Sequence, residues 1–193
     1  MSVSPRPSEV RIALPSWVDG FVDWERAIEL PEDRVRLAVA LSRENVLRGT
    51  GGPFGAAVFE GDTGALVAVG VNLVVPLRSS GLHAEVVAFL FAHARVGSRT
   101  LAAPGLPPHE LATSCEPCAM CLGAALWSGV RRVRYGATRE DAVATGFEEG
   151  PVFPESRAYI EERGIAIEGP FLREEAREVL RLYRERGGAI YNG

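Results

Sequence analysis

Over residues 31–47, Val35, Ala38, Val39 and Val46 roughly follow helical spacing, and Gly49 lies just beyond them; the pattern predicts a helix. The turn Thr50-Gly51-Gly52-Pro53 ends it, and two apolar runs follow, 54–60 and 66–75. Joined by Gly61-Asp62-Thr63-Gly64, they predict a β-hairpin. The rest of the chain alternates: a helix over 82–96, a strand over 111–115, a helix over 117–128 and a strand over 130–137. A short helix over 139–145 and a Pro/Gly-rich loop lead to a helix over 156–163, a strand over 165–168 and a helix over 172–186. This order predicts an α/β fold, a three-layer α/β/α sandwich around a mixed sheet of about five strands with one antiparallel hairpin and parallel crossovers. Residues 1–30 are punctuated by proline and are expected to wrap the body, with Trp17 and Trp24 as anchors. The body is then 31–186, and 187–193 form a C-terminal segment behind a Gly-Gly hinge.

The chain has 193 residues, enough for one domain with a sizeable core. It contains no internal repeat, and no apolar run reaches the length of a membrane span. The first residues, Met1-Ser2-Val3-Ser4-Pro5-Arg6-Pro7, do not read as a signal peptide. Net charge is −4, and the 21 basic residues are all arginine. Most alternate with glutamate, as in Arg173-Glu174-Glu175-Ala176-Arg177-Glu178, which is the pattern of a solvated helix face. Nucleic acid is therefore a disfavoured partner, the cluster Arg131-Arg132-Val133-Arg134 being too short to shift the balance. Three cysteines cannot all pair, so a reduced, cytoplasmic protein is expected.

The cysteines carry the chemistry. Cys118 and Cys121 lie three apart at the start of a predicted helix, hence on one face, where the unpaired N–H groups favour thiolates. His83 stands near the start of another helix. A catalytic Zn²⁺ takes three protein ligands and keeps a fourth position for water; His83, Cys118 and Cys121 supply three. Glu85 suits a proton carrier better than a ligand, although residues two apart on a regular helix do not share a face and Glu85 must reach in from the side. Cys115 offers a competing three-sulfur set, Cys115-x-x-Cys118-x-x-Cys121, but it ends a strand and His83 is preferred. A redox Cys-x-x-Cys would leave His83 and Glu85 unexplained, and a structural zinc site would need a fourth ligand that neither His93 nor His109 is placed by motif to give. A non-catalytic, zinc-stabilised interaction module would have no use for Glu85.

The motifs His83-Ala84-Glu85 and Glu116-Pro117-Cys118-Ala119-Met120-Cys121, with Gly51-Gly52-Pro53-Phe54-Gly55-Ala56-Ala57-Val58 and Asn72, resemble the cytidine deaminase-like superfamily from about residue 31 onward. Trp127, Gly146-Phe147-Glu148-Glu149 and Ile190-Tyr191-Asn192 are similar, more narrowly, to the bacterial guanine deaminases. The resemblance implies one catalytic zinc per subunit held by His83, Cys118 and Cys121, and proton transfer by Glu85, with Glu149 contacting the amino group and helping to move protons. It implies substrate contacts from Phe54, Asn72, Ala84, Trp127, Glu149 and Tyr191. The implied partners are a small nucleobase and a second copy of the chain, in a homodimer whose C-terminal segment crosses to the other active site. Ser79-Ser80-Gly81-Leu82 and Glu148 depart from the family's usual residues where substrate could be touched. They leave open cytosine, an aminotriazine, a modified purine or a nucleoside as substrate, with tRNA adenosine behind these.

Overall fold

The computed structural model describes residues 8–192; the first seven residues of the expected wrapping segment, and Gly193 of the C-terminal segment, lie outside the described residues. Among the described residues the order is α1 (Trp17–Phe21), α2 (Pro31–Leu47), β1 (Gly55–Glu60), β2 (Leu66–Val71), α3 (Val74–Leu77), α4 (Ala84–Val96) and β3 (His109–Cys115). Then come α5 (Ala119–Ser128), β4 (Arg132–Ala137), α6 (Arg139–Thr145), α7 (Pro154–Glu162), β5 (Ala166–Glu168) and α8 (Arg173–Glu185). The strands form one mixed sheet in the order β2-β1-β3-β4-β5. β1 runs antiparallel to β2 and β3, whereas β3–β4 and β4–β5 are parallel. The α/β sandwich expected from the pattern is the fold observed.

Helix α2 starts at Pro31, where a missing N–H costs nothing, and Glu32 and Asp33 complement the positive end of its dipole. Every residue of β2 and β3 is buried, because helices cover both faces of the sheet. Alternate strand residues divide between two cores. Ala57 and Phe59 pack with Val35 and Leu41 of α2 and Val179 of α8. Ala56 and Val58 pack with Ala88 of α4, Ala125 of α5 and Ile160 of α7. A buried ion pair ties β3 to α2, Arg34 Nη1 to Glu110 Oε1 at 2.7 Å, and Arg134 of β4 also pairs with Glu110.

The N-terminal segment is held at several points. Trp17 Nε1 donates to Thr50 Oγ1 at 3.0 Å, Trp24 packs on the first core, and Arg34 donates to the Ile28 carbonyl at 2.7 Å. Three local expectations need correction. The second strand ends at Val71 and not at 75, because Asn72 Oδ1 accepts the Val74 N–H at 3.2 Å and turns the chain into α3. Pro117 precedes the N-cap of α5, Cys118, and does not lie in the first helical turn. The five-residue α1 lies where only a wrapping segment was expected.

The topology gathers one edge of the sheet. The C-terminal ends of β2 and β3 and the N-terminal end of β1 meet there, since β1 is antiparallel to both. Helices α4 and α5 begin at that edge.

Candidate active site

Beyond Cys115 the ladder continues for one bond, Glu116 N–H to the Ala137 carbonyl at 2.8 Å, and an ion pair from Arg139 Nη2 to Glu116 Oε1 at 3.0 Å holds the turn. Cys118 then caps α5 in an extended conformation, with Cys121 three residues inside. His83 caps α4 in the same way, and Glu85 follows in its first turn. His83 Nδ1 lies 3.5 Å from Cys118 Sγ and 3.6 Å from Cys121 Sγ. All three donor atoms fall within 4.8 Å of one another. Nitrogen and sulfur ligands about 2.0 and 2.3 Å from one zinc, at a tetrahedral angle, stand about 3.5 Å apart. The set therefore fits zinc with one position left over. Because His83 is a cap, outside the regular helix, it and Glu85 converge without having to share a helical face.

Of the three donors, Cys118 is the one biased toward its ligating, deprotonated form by its neighbours. A hydrogen bond from Cys121 and the nearness of His83 hold the Cys118 thiol down to about 4, against burial acting the other way. Cys121, the donor in that bond and itself buried, is raised well above the ordinary thiol range. Burial lowers His83, but Cys118 and Glu85 outweigh it and raise the imidazole. Burial, then the Cys118 charge, raise the Glu85 carboxyl, which is 6% exposed.

A cavity of about 660 Å³ opens over these groups, lined among others by Phe54, His83, Glu85, Cys118, Glu149 and Tyr191. Glu149 is held by its own carbonyl, which accepts the Ala119 N–H at 3.0 Å. Burial, Cys118 and Glu85 raise its carboxyl to about 8. A bound cation would offset the two charge effects and leave the effect of burial. Asn72, expected to touch the base, is fully buried and does not itself line the cavity; its backbone carbonyl accepts from Asn45 Nδ2 at 3.0 Å, while its own Nδ2 has no partner. The Tyr191 hydroxyl is likewise buried and unpartnered.

Some expected residues are elsewhere. Trp127 forms no wall of the cavity: at the end of α5 it is 81% exposed. The Ala84 side chain is packed in the second core and does not line the cavity either. Cys115 stays outside the ligand set, its thiol facing the Thr138 carbonyl at 3.5 Å. His93 and His109 bond to the carbonyls of Ser128 and Leu101. The C-terminal segment turns back at Gly187 and brings Tyr191 over the cavity. Tyr183 fixes that path, its hydroxyl donating to the Ala189 carbonyl at 2.7 Å. Sequence reasoning assigned no role to Arg78, Ser79 and Ser80 at the cavity wall, or to Asn192. Ser79 and Ser80 had stood out as departures from the family's residues.

Residues 29–137 match the family described as the cytidine and deoxycytidylate deaminase zinc-binding region. A guanine deaminase of Bacillus subtilis (strain 168) is 40% identical over 134 residues, 69% of this chain and 81% of that protein. The solved guanine deaminase from Nitrosomonas europaea is 41% identical, with a TM-score of 0.88 over 94% of this chain and 100% of that one. A further solved structure, a variant in complex with 8-azaguanine, is 40% identical, with a TM-score of 0.89 over 95% of this chain and 100% of that one. With the zinc triad, the buried glutamate and the sheet order in place, the chain belongs to the zinc-binding cytidine and deoxycytidylate deaminase family.

Proposed function

We propose that the chain hydrolyses guanine to xanthine and ammonia. The observation that carries the reading is the convergence of a zinc-fitting triad, the buried Glu85 and Glu149 on one cavity, in a chain 40% identical to a guanine deaminase. Zinc, when bound, lowers the pKa of a water from about 15.7 to near 7 and so supplies a nucleophile at neutral pH.

The remaining work falls to side chains. Glu85 takes the proton of the attacking water and passes it to the ring nitrogen beside C2. As the C2–N bond breaks, the departing amino group needs a proton, because amide anion is too poor a leaving group. Glu149 or Glu85 delivers it. Water's oxygen ends on C2 and its protons on ring and ammonia, so the atoms balance. The unpartnered Nδ2 of Asn72 suits an acceptor on the base, Phe54 supplies an apolar wall, and Tyr191 closes the cavity. Closure excludes water and strengthens these polar contacts.

The same reading includes a homodimer. Met120, Trp127, Phe153 and Tyr159 are exposed on or beside α5 and α7, an apolar surface suited to a second copy of the chain. A reduced, cytoplasmic setting belongs to the same reading, supported by three cysteines that form no disulfide among the described residues.

The second reading is another amino-heterocycle, supported by 33% identity over 129 residues to a probable cytosine deaminase of Schizosaccharomyces pombe. Incubating the zinc-loaded protein with guanine, cytosine, adenine, an aminotriazine and guanosine, and measuring ammonia, separates the two. Guanine is expected to be turned over fastest. Faster release from any other member of the panel overturns the assignment, and no release from any of them favours an interaction module.

A further inference from the structure

The geometry points to Asn192 as a positioning residue that clips the loop carrying Glu149, so that tail closure and Glu149 placement are one event; this rests on the deaminase reading only for the step Glu149 performs. The Asn192 amide spans two backbone groups of that loop. Its Oδ1 accepts the Glu148 N–H at 2.9 Å, and its Nδ2 donates to the Gly146 carbonyl at 3.1 Å. Glu149 is the next residue along. An amide is suited to this task because it offers one acceptor and two donors on a single rigid plane. Aspartate could not donate to the carbonyl, and lysine could not accept the N–H.

Phe147, between the two clipped groups, joins the clip to the tail. It is 5% exposed, and its ring stands 5.1 Å from Tyr191, 5.0 Å from Phe54 and 6.0 Å from Tyr183. The same aromatic therefore touches the tail, the cavity wall and α8. On its other side the loop is fixed to the zinc-ligand helix through the Glu149 carbonyl and the Ala119 N–H at 3.0 Å. Gly146, with φ +110°, takes the left-handed turn that starts the loop, and Arg184 bonds to the Thr145 carbonyl just before it. The loop is thus anchored at both ends, and Asn192 supplies the side-chain bonds to the stretch between. If the tail opens, the Glu148 N–H and the Gly146 carbonyl lose those bonds together, and Glu149 loses its reference position at the moment the cavity meets solvent.

Two measurements test this. In the first, backbone amide exchange is followed on the zinc-loaded protein without substrate. The Glu148 amide should be protected in the wild type and exchange about 10-fold or more faster in Asn192→Ala, as for a local opening that no longer closes. Unchanged exchange overturns the clip whatever the substrate is. In the second, kcat for guanine is compared across Asn192→Ala, Glu149→Gln and the double variant. Asn192→Ala alone should lower kcat about 10-fold, the scale of ordinary hydrogen bonds lost, with less effect on KM. Added to Glu149→Gln it should lower kcat no further, because its action passes through the carboxyl already removed. A multiplicative loss in the double variant overturns the positioning role. Absence of wild-type turnover would defeat the deaminase reading, while the exchange measurement still decides the clip.

Discussion

The Tyr191 hydroxyl lies 2.2 Å from where a Cβ on residue 52 would stand, so the tail closes over the cavity only because position 52 is glycine. The same Cβ would come within 2.9 Å of Asn72 Oδ1. Gly52 is therefore the floor on which the lid's aromatic rests, next to the asparagine assigned to the base. Gly52→Ala should leave the fold and zinc content intact and displace the tail. Misplacing a closing element by about 1 Å can cost about 10²-fold, and a loss of kcat/KM on that order is expected. In a protein truncated before Gly187 only the contact with Asn72 remains, so the same substitution should cost much less than in the full chain. Wild-type kinetics for Gly52→Ala would remove the tail from the account.

The ligand set makes a prediction about metal content. Cys118→Ser and His83→Ala should each lower the zinc bound per chain after dialysis, measured by atomic emission. Cys115→Ser should keep one zinc per chain, because its sulfur faces the Thr138 carbonyl and lies outside the triad. Loss of zinc from Cys115→Ser with retention in His83→Ala would show that the three sulfurs are the ligands.

Glu110 is 1% exposed and stands between Arg34 and Arg134, themselves 4% and 7% exposed. Removing the carboxylate leaves the Arg34 guanidinium buried without its carboxylate partner, while Arg134 keeps Glu168 at 2.9 Å. Glu110→Ala should lower unfolding stability by about 3–5 kcal/mol, as when one partner of a buried pair is deleted. Urea denaturation measures it. A loss below about 1 kcal/mol, the value of an exposed pair, would contradict the role given to the cluster.

Acid stability should depend on Asp141. Burial pushes its carboxyl up, but hydrogen bonds from Arg173 and the Thr138 backbone, with the Arg173 charge, outweigh burial and hold it below the usual value. Arg173 Nε reaches Asp141 Oδ2 at 2.8 Å, and the Thr138 N–H reaches the same oxygen at 2.9 Å. A depressed folded pKa means that the unfolded chain binds the proton first as pH falls. The contribution is therefore complete above the ordinary aspartate pKa of about 3.9 and is lost as pH drops through the folded value. Denaturation midpoints should fall more steeply below about pH 4 in wild type than in Asp141→Asn. Parallel curves would assign the acid dependence to other groups.

Much of this architecture is legible in the chain because its signals are local. Helix α2 has proline at its first position and glycine just past its end, and α6 lies between a Thr138–Asp141 capping box and Gly146; both run over the predicted residues. The zinc ligands are readable for the same reason, each standing at a helix start. What could not be read depends on contacts distant in sequence. An apolar run through 75 looks like strand, yet the Asn72 side chain competes for the Val74 N–H and ends the strand early. Trp127 and Ala84 sit in recognisable motifs, but which way each side chain faces is set by the packing of α4 and α5. Asn192 stands in the terminal motif beside Tyr191, but what it does depends on a loop 46 positions earlier in the chain.

The central claim is that zinc and Glu85 together deaminate guanine. Glu85→Gln keeps the shape of the side chain and removes its proton chemistry. Zinc per chain and xanthine formed from guanine should be measured on the same preparations of wild type and variant. Glu85→Gln is expected to hold zinc as wild type does while turnover falls by at least about 10²–10⁴-fold, the scale of a lost general acid–base. A zinc-loaded Glu85→Gln protein forming xanthine at the wild-type rate would contradict the account.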